Sequence, residues 1–237
     1  MKGTLRWSAV GLLVLSATGA MAVPDATVTV VRTAGYYDTS YQGGEFTLKG
    51  SPWANPNHYS PATLVANGLQ TFCLELNEFL SGQPFHAYLN TVAINGGVGG
   101  GSPDPLSIGT AWLYKRFAEG TLPGYNYTPG PGRAASAREL QEAIWYLEDE
   151  LGSIGPNPYI AMVIAQFGSL SAAKTNYNPS LANFQVRVVN LYGIKPNGDT
   201  DWQARKQDMI VYLPDGGMTL ILMGGGLLGL ALVRRKA

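Results

Sequence analysis

Strand-patterned segments stand on both sides of a helix-patterned middle, and this order constrains the fold of the 237-residue chain more than any other feature. Thr27 to Arg32 alternates with β-branched residues, Glu45 to Lys49 follows a Gly43-Gly44 turn, and Leu69 to Leu76 and Phe85 to Ile94 read as two further strands. A glycine- and proline-rich loop from Asn95 to Pro105 ends this part. Asp104 is then expected to cap a helix with Pro105 at its first position, running past Trp112 and Phe117 to Gly120. Ser136-Ala137-Arg138-Glu139 has the form of a capping box opening a second helix that ends at Gly152, and Asn157-Pro158 opens a third that ends at Gly168. Strands return at Phe184 to Tyr192 and Gln207 to Tyr212, on either side of Asn197-Gly198. Early strands that only late strands can complete imply an α+β fold, a β-barrel or sandwich with an inserted helical lobe.

The two ends read as addresses. Lys2 and Arg6 precede an apolar core from Val10 to Leu15, and Ala20-Met21-Ala22 is a small-x-small cleavage site, so residues 1–22 are expected to be a removed signal peptide. At the other end come Leu213-Pro214-Asp215-Gly216-Gly217, an apolar and glycine run from Met218 to Val233, and Arg234-Arg235-Lys236. A short breaker motif, a membrane-length segment and a basic stop cluster resemble the PEP-CTERM type of bacterial sorting signal, in its Val-Pro-Asp-Ser/Gly-Gly variant, with Leu213 in the place of valine. The resemblance implies that residues 213–237 hold the chain in the membrane, transiently or permanently, until an exosortase-type protease processes it. Residues 23–212 would then form an extracellular domain exported through the inner membrane to the cell envelope, surface or biofilm matrix. The basic cluster is expected to stay cytoplasmic.

Between the signals, residues 23–213 hold 11 basic and 15 acidic residues, a formal charge of −4 with no basic run, so no nucleic-acid partner is expected. Two histidines and one cysteine offer no ligand spacing, and Gly99-Gly100-Gly101 lacks the lysine of a phosphate loop; no metal or cofactor is expected. The single cysteine, Cys73, is unusual for an oxidising compartment. It cannot form an intramolecular disulfide. An inert buried thiol, an intermolecular disulfide, a nucleophile and a thiol consumed in another covalent bond all remain open. Alternation along its strand puts Cys73 and Glu75 on one face, which predicts a partly exposed thiol.

Two short segments carry a second resemblance. Phe72-Cys73-Leu74-Glu75 and Leu140-Gln141-Glu142-Ala143-Ile144 match, in order, the paired signature of the bacterial thioester domains of surface adhesins: an aromatic, Cys, a hydrophobic and a hydrophilic residue, then a hydrophobic residue, Gln, a hydrophilic and two hydrophobics. The resemblance implies an internal thioester between the Cys73 sulfur and the Gln141 side-chain carbonyl, formed with loss of ammonia. Such a bond is a single-use electrophile for an amine or hydroxyl on a surface protein or polysaccharide, so adhesion is expected and not enzymatic turnover. The chemistry requires a thiolate near an amide carbon, a donor to the carbonyl oxygen and a wall against water. Phe72, Trp112, Tyr114 and Trp145 are expected in that wall, and Glu75, Glu142, His58 or His86 are open as proton carriers.

Two other readings compete. Cys73 with His58 or His86 as base would make a cysteine hydrolase. A non-covalent structural or carbohydrate-contacting matrix protein would bind instead through Tyr36, Tyr37, Tyr41, Tyr125 and Tyr127.

Overall fold

The computed structural model describes residues 22–40, 43–178 and 184–213. Within them the order is β1 (Ala26–Val31), β2 (Phe46–Lys49), β3 (Leu64–Val65), β4 (Gly68–Thr71), β5 (Phe85–Asn90), β6 (Val92–Ala93), β7 (Asp104–Pro105), α1 (Ile108–Ala118), α2 (Pro131–Leu147), α3 (Pro158–Phe167), α4 (Leu170–Ala173), β8 (Val186–Ile194) and β9 (Thr200–Tyr212). The fold is mixed α+β, with one large antiparallel sheet and the helices grouped in the middle of the sequence. The expected signal peptide up to Met21, the sorting motif Pro214, Asp215, Gly216 and Gly217, and the basic cluster Arg234, Arg235 and Lys236 lie outside the described residues. Among the described residues no helix is long and apolar enough to cross a membrane.

Seven strands form the main sheet in the order β3-β4-β2-β1-β5-β8-β9, so β5, from before the helices, pairs with β8, from after them. Their register sets His86 against Tyr192 and Asn90 against Val188. Alternation in β1 sends Val28 and Val30 into the core. β8 and β9 form a long hairpin around Asn197-Gly198, with Val186 opposite Tyr212. Just past β4 the chain crosses to the far edge of the sheet: Cys73 bridges Met209 of β9, Leu74 N–H donates to the Asp208 carbonyl at 3.1 Å, and Thr71 Oγ1 donates to the Ile210 carbonyl at 2.6 Å. The segment after β4 therefore meets the edge strand β9 at Cys73.

Several boundaries differ from the sequence reading. Asp104-Pro105 does not start α1; it pairs as β7 with Val92–Ala93, and Ser107 is the cap, its hydroxyl accepting from Thr110 N–H at 3.1 Å. Nor does Ser136 open α2. The helix begins five residues earlier at Pro131, whose fixed φ suits a first helical position, and the Ser136 hydroxyl instead accepts from Asn126 N–H at 3.1 Å. The expected Leu69 to Leu76 strand stops at Thr71, and Phe85 to Ile94 divides at Thr91. α3 is as expected: Asn157 Oδ1 accepts from Tyr159 and Ile160 N–H, and Gly168 closes the helix at φ 84°.

A buried ion pair fixes α2 against the sheet. Arg133, fully buried in its first turn, donates from Nε and Nη2 to the two carboxylate oxygens of Glu45, at 2.7 and 2.8 Å. Gln70 Nε2 (2.8 Å) and the Tyr125 hydroxyl also donate to Glu45, and the Arg133 guanidinium lies 4.1 Å from the centre of the Tyr36 ring. A buried charge is tolerated only with such complete partnering.

Candidate functional site

Cys73 and Gln141, 68 residues apart in sequence, are direct neighbours. Cys73 N–H donates to Gln141 Oε1 at 3.1 Å, and Gln141 Nε2 donates back to the Cys73 carbonyl at 2.8 Å. The side-chain amide thus acts as a strand partner on one side of Cys73, while Met209 bridges it on the other. Gln141 is completely buried near the middle of α2, whose inward face also carries Leu140, Ile144 and Trp145. Gly43 allows this close packing: a Cβ there would lie 2.7 Å from the Trp145 ring and 3.0 Å from Gln141 Cγ.

α2 grips the Cys73 segment a second time through Glu150, just beyond its end. Glu150 Oε2 accepts from Leu76 N–H at 2.7 Å, and its carboxylate also accepts from the N–H groups of Val98 and Gly99. The glycine-rich loop does cradle an anion, but the anion is the protein's own side chain. A Cβ on Gly97 would fall 2.3 Å from that carboxylate, which explains the glycine.

A cavity of about 360 Å³ opens onto Cys73 and is lined by Arg32, Glu75, Glu78, Phe79, Trp145 and Gln207 among others. The thiol is only 5% exposed and Glu75 2%, so the expected partly exposed face is corrected: the segment leaves β4 and is covered by β9 and α2, which removes the open side of the strand. Burial, reinforced by the Glu75 carboxyl, pushes the Cys73 thiol well above the usual thiol range. Burial and the neighbouring Asp208 push Glu75 well above the carboxylate range in turn, and burial raises Asp208 to about 7. Glu75 Oε2 accepts from Gln207 Nε2 at 2.8 Å and Asp208 N–H at 3.1 Å; Glu75 Oε1 is buried with no hydrogen-bond partner among the described residues.

Of the expected wall, Trp145 lines the cavity and the rest does not. Phe72 points into the core, edge-on to Tyr114 and Phe117, because its neighbour Cys73 takes the side facing α2 and β9. Trp112 packs under Arg116 and against Phe167 on another side of α1, and Glu142 is half-buried away from the cavity. His86 Nδ1 pairs with Thr200 Oγ1 at 2.7 Å inside the sheet, and neither it nor His58 reaches the cavity, so the cysteine-hydrolase arrangement is absent among the described residues. Tyr37 and Tyr125 are buried, and Tyr36 and Tyr127, each half-buried, lie against Arg133; Tyr41 lies outside the described residues. No group of three or more metal-ligating side chains occurs among the described residues.

No protein-family model, curated protein or solved structure matches this chain.

Sequence reasoning paired Cys73 with Gln141 but missed Gly43, Glu150, Gln207 and Asp208. The first is one of 30 glycines, and nothing near it in sequence marks α2 as its neighbour. Glu150 lies six residues past the second motif, but nothing local marks its contact with Leu76, and Gln207 and Asp208 come from a segment far from both motifs.

Proposed function

We propose that this chain is an exported surface or biofilm-matrix protein that forms an internal thioester between Cys73 and Gln141 and uses it to attach covalently to an amine or hydroxyl on a protein or polysaccharide. The observation that carries this reading is the reciprocal pairing of the Gln141 amide with the Cys73 backbone in a buried site beside a cavity. The pairing supplies one requirement of the chemistry, a donor to the carbonyl oxygen, and holds the Gln141 amide beside Cys73. Cys73 sulfur attacks Gln141 Cδ, charge develops on Oε1, and the Cys73 N–H already bonded to that oxygen stabilises it. The C–N bond then breaks, Nε2 takes the thiol proton and leaves as ammonia, and the acyl–sulfur bond remains. The Gln141 amide and the Cys73 backbone are held together by these two hydrogen bonds, so little freedom beyond rotation of the Cys73 side chain is left to lose. A partner amine or hydroxyl entering the cavity would take the acyl group, and Cys73 would regain its proton.

The finer fold reading belongs with this proposal: the sheet rolls into a barrel-like wall closed where Cys73 bridges Met209, with α1 to α4 as the inserted lobe. So does the address, in which residues 1–22 direct export and residues 213–237 serve as a PEP-CTERM-like signal for an exosortase-type protease, in a chain whose envelope location follows from both.

The test is covalent capture. Wild-type protein incubated with a biotinylated alkylamine, or with extracts of the producing cell surface, is expected to give adducts that survive boiling in detergent, and Cys73→Ala is expected to give none. Adducts that persist in Cys73→Ala would eliminate the thioester as their source.

A further inference from the structure

The geometry points to Glu75 as the proton-transfer group of the Cys73–Gln141 site, carrying a proton between Cys73 sulfur and the nitrogen or oxygen that arrives or leaves through the cavity. This rests on the thioester reading. The carboxyl is held at one end only: Gln207 Nε2 and Asp208 N–H both donate to Oε2, and Gln207 Nε2 also donates to the Glu75 carbonyl at 2.8 Å. Oε1 is left buried and without a hydrogen-bond partner among the described residues, and Glu75 shares its cavity with Cys73. A buried acceptor without a partner costs free energy unless the working state supplies one. A protonated or newly arrived amine is such a partner, and so is a thiol giving up its proton.

When an amine opens the thioester, the acyl–sulfur bond breaks and an acyl–nitrogen bond forms. One proton must leave the nitrogen and one must reach the sulfur. Glu75 takes the first on Oε1 and returns it to Cys73, so no external acid or base is consumed. In the forming direction the same carboxyl takes the thiol proton and gives it to Nε2 as ammonia departs. Of the alternatives, Glu142 and both histidines are outside the cavity, and Glu78 lines it but is only half-buried and has no buried unpartnered oxygen of the kind Glu75 carries. The charged and titratable groups that face Glu75 are Asp208 from β9, Glu78 and Cys73 from its own segment, and Arg32 beyond the end of β1. Burial and the like charge of Asp208 raise the carboxyl well above the usual carboxylate range, so it binds a transferred proton more tightly than an exposed carboxylate would.

The experiment measures thiol release from the purified full chain by methylamine across pH, for wild type, Glu75→Gln, Glu75→Asp and Asp208→Asn. Glu75→Gln is expected to open about 100-fold more slowly, with a profile that follows methylamine ionisation alone, and Glu75→Asp to recover part of the rate. Should Glu75→Gln stay folded by circular dichroism yet never close its thioester, the role in closure is supported instead. Asp208→Asn removes the neighbouring like charge and is expected to move the wild-type midpoint to lower pH; this variant decides the matter if Glu75→Gln does not fold. Rates and profiles of Glu75→Gln within about twofold of wild type, or an unmoved midpoint in Asp208→Asn, would overturn the role of Glu75. A wild-type protein that releases no thiol at all would instead overturn the thioester reading beneath it.

Discussion

Two glutamines in this molecule make the same pair of hydrogen bonds, and only one of them is placed for chemistry. Gln83 Oε1 accepts from Val30 N–H at 2.6 Å and its Nε2 donates to the Val30 carbonyl at 2.7 Å, just as Gln141 pairs with Cys73. Each amide takes the place of a missing strand: the pairing of β5 with β1 ends at Phe85 opposite Val28, and Gln83 extends it. The reciprocal pairing is therefore a packing device that the fold uses elsewhere. What differs is the company. Gln83 is exposed and faces a valine, which offers no nucleophile; Gln141 is buried and faces the only thiol in the chain, beside a cavity and a carboxyl with one unbonded oxygen. Position near an amide carbon does not make a reactive site without the thiol, the exclusion of water and a route for the proton.

The comparison breaks most sharply at Gln141. Gln141→Glu keeps the length and one oxygen of the side chain but replaces the amide with a poorer acyl donor, so thiol titration in denaturant is expected to rise from no free thiol per chain to one. An unchanged thiol count would show that Gln141 is as structural as Gln83.

Next in size is the support behind the two glutamines. Gln141 rides on α2, which the Arg133–Glu45 pair fixes, whereas Gln83 sits in the exposed segment just before β5. Arg133→Ala strands a buried carboxylate and is expected to cost about 3–5 kcal/mol in denaturant unfolding. A loss below about 1 kcal/mol would mean that the network does not hold the helix.

Buried acids separate the two regions by pH. Burial raises Glu148, which accepts from Ser107 at the start of α1, from 4.5 to about 7, and raises Asp208 from 3.8 to about 7. Between those values the folded state binds more protons than the unfolded one, so stability is expected to fall as pH rises from about 4 to 7. Each tenfold change in proton affinity on folding is worth about 1.4 kcal/mol, so the two acids together account for a loss on the order of 8 kcal/mol. Melting temperatures across this range check it, and a maximum near neutral pH would contradict it.

The smallest effect belongs to Gln83. Gln83→Ala removes two part-buried hydrogen bonds and is expected to cost about 1 kcal/mol while leaving the thiol count of the wild type untouched. A change in thiol count would show that the two pairings are coupled.

Much of this was legible in the chain. Valine and threonine alternation marked β1, Asn157-Pro158 and Gly168 marked both ends of α3, and the two short motifs named Cys73 and Gln141. Where local signals competed, tertiary contacts decided. Asp104-Pro105 reads as a helix start, but β6 offers it a strand partner and Ser107 makes the cap. Ser136 and Glu139 read as a capping box, but Pro131 nucleates α2 earlier and Ser136 serves the Asn126 backbone. The expected wall failed because Phe72 and Trp112 are core residues whose direction depends on packing, and no local spacing encodes it. Glu150 and Asp208 could not be read as part of the site because they reach Leu76 and Glu75 only through the folding of α2 and β9.

The measurement that tests the central claim most directly is the intact mass of the full chain before and after mild methylamine treatment, with Cys73→Ala alongside. The account predicts a wild-type mass one ammonia short of its sequence, a gain of one methylamine on treatment with one thiol released, and no change in Cys73→Ala. A wild-type mass that already equals the sequence and does not move with methylamine would contradict it, and would make the Gln141–Cys73 pairing a structural clasp like that of Gln83 and Val30.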